Sequence, residues 1–388
     1  MIFLNIYIFL YSNFASFLSL AFGLGRWVSD NSDDITLALG FIYLTFLFFN
    51  QKIKISKIAL FILGYILIRS GILAGFALYY DYNVIAYLLP IKNWFALLFF
   101  FVIGQSLNLS FDKLNKILFT FFNLFIASSI IYYVLSLTIE MDSVFSPSRL
   151  PFLKYRIPID IFLTTYIYTV STIQYFSKQI PLKRYLFVIV LIILAILISQ
   201  IQQMIIAIIL ISMFLLLSYF KRLHGSRILF YFVSVSVVAV VVMLSFYYFY
   251  TLSYQDVYFS IYRRNLLLEY VKEKVLHYPI GGYPIPSPTF SDNIPNDIWF
   301  YFFDFRFDRT IYPADVPLLF ILSEEGILGI TYVFVLLWLC YKRNPDTKYF
   351  IYLLIATLTN FRVYYLITLV SSFTYFMLGY FTKVRRRT

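Results

Sequence analysis

Long apolar runs separated by short polar breaks make up most of the chain, and they are too uniformly apolar for the alternating strands or striped helices of a soluble domain. Such runs occupy 2–23, 35–50, 58–78, 93–107, 117–138, 159–176, 186–199, 203–220, 228–250, 316–340, 349–361 and 363–381. A hydrocarbon core about 30 Å thick takes roughly 20 apolar residues per helix. The pattern therefore predicts an all-α polytopic membrane protein of about twelve transmembrane helices. The stretches 186–220 and 349–381 are long for one helix and short for two, so each is expected as a hairpin of short helices, with Gln200 to Gln203 and Arg362 at the tips. The first run has no basic segment before it and no small-residue cleavage site after it, which favours a retained helix over a signal peptide.

Composition agrees with the pattern. Of 388 residues, 61% are hydrophobic and 13% charged, against roughly 25% charged in a soluble domain. The single cysteine, Cys340, lies in an apolar run and excludes a disulfide framework or thiolate metal cluster. The net charge of +12 changes the picture only through its placement. If the N-terminus is cytoplasmic, the basic residues at 52–57, 113–116, 178–184, 221–227, 342–348 and 383–387 all face the cytoplasm, more than half of the 31 in the chain. Alternate loops then obey the positive-inside rule, so the charge marks sidedness and contact with anionic lipid, and nucleic acid is excluded as a partner.

The same orientation leaves one long external segment, which divides the chain into transmembrane helices 1–9 at 1–250, a large periplasmic loop at 251–315, and helices 10–12 with a basic cytoplasmic tail at 316–388. The loop mixes Arg263, Arg264, Arg306 and Arg309 with aspartates and an aromatic run from Trp299 to Phe307. Loops longer than about 15 residues are usually functional or disordered, and this composition suits a folded cap. Ring faces in that run suit sugars, but an interfacial aromatic belt has the same composition. The 36 tyrosines and 45 phenylalanines of the whole chain are better explained by packing and lipid contact than by many ligand sites.

Within the loop, Tyr258, Tyr262, Leu266, Tyr270 and Lys274 form one helical stripe, which predicts an amphipathic helix over 258–276. It is expected to stop at His277, Tyr278, Pro279, Ile280, Gly281 and Gly282, where proline cannot continue a helix and glycine permits reversal. Arg263 and Arg264 then lie near the start of a surface helix, where a planar guanidinium matches phosphate oxygens bidentately, or snorkels to lipid phosphate. After the loop, Asp315 stands at the mouth of a helix and Glu324 further inside it. An unpaired carboxylate at membrane depth costs on the order of 2.5 to 3.5 kcal/mol, so Glu324 is expected to pair, with Arg69 or Arg362, or to line a wet cavity.

These features, in this order, resemble the O-antigen polymerase and O-antigen ligase superfamily of bacterial inner-membrane glycosyltransferases. Pro279-Ile280-Gly281-Gly282 looks like that family's turn after an arginine-bearing loop helix, and Glu324-Glu325-Gly326-Ile327-Leu328-Gly329 looks like its re-entry motif. Asp315-Val316 replaces the ligases' His-Asn pair, and Ser199-Gln200-Ile201-Gln202-Gln203 replaces a Ser-Arg hairpin tip, which favours a polymerase. The resemblance implies polysaccharide biosynthesis: transfer of a growing glycan from its undecaprenyl-diphosphate carrier to the non-reducing end of another lipid-linked repeat unit, for O-antigen, capsule or exopolysaccharide. It implies Arg264 on the diphosphate, with Arg263, Arg306 and Arg309 as secondary candidates and Arg69 and Arg156 as further cations. The base is Asp315 by position or Glu324 by burial, with His277 as a weaker alternative. No cofactor and no metal are expected, since His224 falls in a basic loop and the loop aspartates lack the spacing of a dedicated site. Implied partners are the lipid-linked donor and acceptor, membrane lipids and a chain-length regulator.

Competing readings are an O-antigen ligase, a lipid-linked oligosaccharide flippase, a membrane acyltransferase and a non-catalytic assembly partner. A flippase is expected to show internal repeats, which are not evident between the halves, and an acyltransferase a histidine-based membrane site.

Overall fold

The computed structural model describes residues 2–11, 32–136, 161–199, 204–205, 207–215, 272, 275–282, 303–304, 309–310, 317–343 and 368–383. These are almost entirely helical. In chain order the helices are α1 (Ile2–Tyr11), α2 (Ser32–Phe49), α3 (Lys57–Tyr79), α4 (Val84–Leu88), α5 (Ile91–Ser106), α6 (Phe111–Ser136), α7 (Ile161–Phe176), α8 (Leu182–Ser199), α9 (Pro317–Arg343) and α10 (Thr368–Phe381). One two-residue antiparallel pair joins β1 (Phe303–Asp304) to β2 (Arg309–Thr310), with Phe303 opposite Thr310.

Polar residues at the edges of the apolar runs set the helix starts. Ser56 caps α3 by accepting a hydrogen bond from the Ala59 amide at 3.2 Å, and the Asn83 side chain accepts from Ile85 at 2.9 Å to begin α4. Two helices begin four or more residues before their apolar runs. Helix α6 starts at Phe111 rather than 117 because its first turns are amphipathic: Leu114 and Leu118, one turn apart, are buried while Asp112 and Lys113 are exposed. Helix α8 takes in Lys183 and Arg184 before the run at 186. It ends at Ser199, and helix is present again at 204–205 and 207–215, on either side of the expected hairpin tip, which itself lies outside the described residues.

Among the described residues, five stretches are long and apolar enough to cross a membrane: Lys57–Tyr79, Val84–Ser106, Phe111–Ile131, Leu182–Ser199 and Glu324–Arg343. Large apolar side chains point outward along them, among them Leu67, Phe187 and Phe334, and such faces need lipid to cover them. The chain is an α-helical polytopic membrane protein.

Among the described residues, the most extensive packing joins α5 to α10. A Cβ on Gly104 would lie 2.1 Å from the Phe376 carbonyl oxygen, and one on Gly379 would lie 2.1 Å from that of Phe101, so two glycines let the backbones touch. Tyr7 of α1 joins this layer through a 2.9 Å hydrogen bond to Ser372 and by stacking on Phe100. Basic residues gather at the end of the bundle where α5 and α10 finish. The Lys54 amide donates to Ser106, and the Lys383 ammonium donates to the Leu107 carbonyl at 2.8 Å.

Candidate functional site

The two segments singled out as turn and re-entry motif meet in the fold, and Arg69 is between them. Helix α9 is interrupted at Gly326, whose φ of 61° and ψ of −155° are not helical. A regular helix would bond the Ile327 and Leu328 amides to the carbonyls four residues earlier. Here they donate instead to Pro279 at 2.9 Å and Ile280 at 3.1 Å, so the turn supplies the acceptors that the kink removes. The Glu324 carbonyl, released by the same kink, accepts from Arg69 Nη2, while Arg69 Nη1 donates to the Gly281 carbonyl at 2.6 Å.

Glycine is required on both sides of this joint. Gly282 has φ of 67°, and a Cβ there would lie 2.3 Å from the Glu324 carbonyl carbon. A Cβ on Gly326 would lie 2.6 Å from the Ile280 carbonyl oxygen. The left-handed region disfavours other residues even without such contacts. Gly329, the last glycine of the motif, clears room for a carboxylate: its Cβ would fall 2.7 Å from Glu325 Oε2.

Arg69 is 1% exposed, Glu324 0% and Glu325 2%, so the joint takes three ionisable groups out of solvent. Tyr65, one turn before Arg69 on α3, donates its hydroxyl hydrogen bond to Glu325 Oε2. The Tyr65 ring stacks on Tyr332 of α9 with centroids 3.8 Å apart, and Trp94 of α5 closes against Tyr65 at 5.4 Å. Nearer the end of α3, the hydroxyls of Tyr80 and Tyr278 are hydrogen-bonded. Non-helical backbone at membrane depth is tolerated only where protein or a wet cavity satisfies its polar groups. Arg69 and the kinked helix supply that satisfaction to the 279–282 turn.

The arrangement ties Gly282 to Glu324, so the segment between them leaves and returns at one place. Among the expected site residues, it brings together Arg69 and Glu324, through the Glu324 main chain. His277 ends the short described helical stretch 275–277 and is exposed. Arg309 is described only as backbone in β2, opposite Asp304. Arg263, Arg264, Arg306, Arg156 and Asp315 lie outside the described residues, as do Arg362 and most of the 258–276 helix. Lys92 pairs with Asp34 at 2.7 Å. Among the described residues, no three His, Cys, Asp or Glu side chains converge as a metal-binding group.

Sequence reasoning missed Tyr65 and Glu325 as members of the site. A signal for Tyr65 existed, since it lies four residues before Arg69 and hence on the same helix face. Glu325 was legible only as part of the motif. No family model, no curated protein and no solved structure matches the chain.

Proposed function

We propose that this protein is a bacterial inner-membrane polysaccharide polymerase with about twelve helices, cytoplasmic termini and a large periplasmic loop. It moves a glycan from an undecaprenyl diphosphate to a hydroxyl of another lipid-linked repeat unit. One observation carries the reading: the turn 279–282 and the segment 324–329, the two motifs on which the family resemblance rests, are seated against each other and bound by Arg69. A loop whose two ends are already joined presents its groups to a substrate at a lower ordering cost.

In this reading the acceptor hydroxyl attacks the anomeric carbon, the bond from that carbon to the diphosphate oxygen breaks, and the hydroxyl proton passes to a carboxylate. Charge builds on the departing diphosphate, and a positioned guanidinium stabilises it. Arg264 takes that role, with Arg263, Arg306 and Arg309 beside it, and Asp315 is the base. Arg69 and Glu324, engaged with the turn, are positioning residues that set the loop over the membrane.

The test is removal of the gene followed by gel analysis of surface glycan. The expected result is a single repeat unit on the acceptor. No glycan at the surface would indicate a flippase, and polymer retained on its lipid carrier a ligase. Arg264→Ala and Asp315→Asn, present at normal membrane levels, are expected to give the single-repeat pattern; full-length glycan from both would refute the residue assignment.

A further inference from the structure

A second polar site lies at the lysine-rich end of the bundle, between the first turns of α6 and α8 and the last turns of α7. There a cavity of about 550 Å³ is lined by Lys116 and Arg184 together with the side-chain amides of Asn115 and Gln174. The α6 lining runs from Asp112 to Thr120, about 12 Å of helix at 1.5 Å per residue, so the cavity occupies a slab near the helix ends and not the middle of the bundle.

Three features point to a phosphate-bearing ligand. First, neither Lys116 nor Arg184 forms an ion pair among the described residues, although both are at the cavity wall. The Arg184 guanidinium lies over the Phe119 ring at 5.9 Å, which orients its fork of donors. Second, the side-chain amides of Asn115 and Gln174 line the same cavity, and the Tyr166 hydroxyl, donating to Asn115 Oδ1, holds the first of them in place. Third, Lys116 and Arg184 set against Asp112 leave the lining one positive charge in excess (two less one), which matches a monoanionic phosphodiester better than a dianionic phosphate.

The surroundings favour a lipid as the source of that group. Leu186, Phe187 and Val190 on α8 are exposed, next to Arg184 and Val188 of the cavity wall, and offer acyl chains an apolar surface. The positive-inside rule assigns this end to the cytoplasmic leaflet, whose anionic lipids such basic pockets attract. We propose that the cavity between α6, α7 and α8 binds the phosphodiester headgroup of an anionic phospholipid. The proposal stands apart from the glycan reaction, which is assigned to the opposite face.

The test uses the purified full chain in detergent micelles, with thermal unfolding followed on addition of phosphatidylglycerol, phosphatidylethanolamine or inorganic phosphate. Phosphatidylglycerol is expected to raise Tm, and K116Q/R184Q to lose at least half of that shift. K178Q/K183Q removes the same charge at the same end of the bundle, outside the cavity lining, and is expected to keep the shift. Equal loss in both variants, or equal protection by phosphatidylethanolamine, would overturn the proposal. Protection by inorganic phosphate alone, lost in K116Q/R184Q, would support the phosphate chemistry and overturn the lipid source. Should the double variant not survive purification, native mass spectrometry of K116Q and R184Q singly decides. Fewer retained phosphatidylglycerol molecules than wild type are expected, and equal retention would overturn the proposal.

Discussion

The α5–α10 crossing and the joint at Gly326 use glycine in opposite ways. At the crossing, Gly104 and Gly379 sit in unbroken helices, and the missing side chains let two backbones approach. At the joint, Gly326 breaks α9 and two amides take acceptors from a turn that arrives from the far side of a long segment. At its glycines the first contact depends on shape, and the hydrogen bonds that Gln105 and Lys383 make across the pair lie at its end. The second depends on shape and on exchanged hydrogen bonds, with a buried arginine taking the carbonyls left over. In a medium without water, a fault in the second is therefore the more damaging.

The largest effect is expected from Gly326→Ala, which combines a left-handed backbone with a Cβ 2.6 Å from a carbonyl oxygen. A loss above about 4 kcal/mol is expected, seen as failure to recover folded protein from the membrane. Arg69→Met follows. It leaves the Gly281 and Glu324 carbonyls without this donor, at about 1–3 kcal/mol for each buried group left unsatisfied. Arg69→Lys keeps the charge without the planar fork and is expected to fall between Met and wild type in Tm. If Arg69→Met unfolded at the wild-type temperature, the joint would be held by the backbone exchange alone.

The spans at this joint were legible, and its chemistry was only partly so. The apolar runs 58–78 and 316–340 correspond to α3 and α9 within a few residues, because polar segments bound them and Ser56 offers a cap to α3. Arg69 stood out as a cation in apolar surroundings, and Glu324 as a carboxylate at depth. Their meeting through main-chain carbonyls did not, since a carbonyl is common to every residue and leaves no mark in the side-chain pattern. The kink was hidden for a related reason. Apolar runs flank the Ser323-Glu324-Glu325-Gly326 step on both sides, so the local pattern reads as one helix, and the acceptors that make the break tolerable come from Pro279 and Ile280.

Gly379→Ala tests the other half of the comparison. Its Cβ meets the Phe101 carbonyl, but both helices can separate without losing an internal hydrogen bond. The expected cost is about 1–3 kcal/mol, as for other overpacked contacts. Adding Gly104→Ala to it is expected to cost less than the sum of the two single changes, because one separation of α5 from α10 accommodates both methyl groups. Thermal unfolding of the two single variants and the double variant measures that shortfall. Strict additivity would mean that the two glycines act at independent points.

The smallest effect belongs to the end of the same helix pair. The Lys383 ammonium, bonded to the Leu107 carbonyl, is held below the ordinary lysine value of 10.5, first by burial and then by the nearby Lys54 charge. Below the folded pKa, both folded and unfolded chains carry the proton and the folded state bears the full penalty. As pH rises through the folded pKa toward that of the unfolded chain, the folded state releases its proton first and regains stability. Tm of the wild type minus that of Lys383→Met is therefore expected to increase with pH across this alkaline window. High salt is expected to reduce the Lys54 contribution and leave the burial contribution in place. A difference that stayed flat with pH would show that the ammonium is fully hydrated, and that α10 ends at the membrane surface without drawing this charge inward.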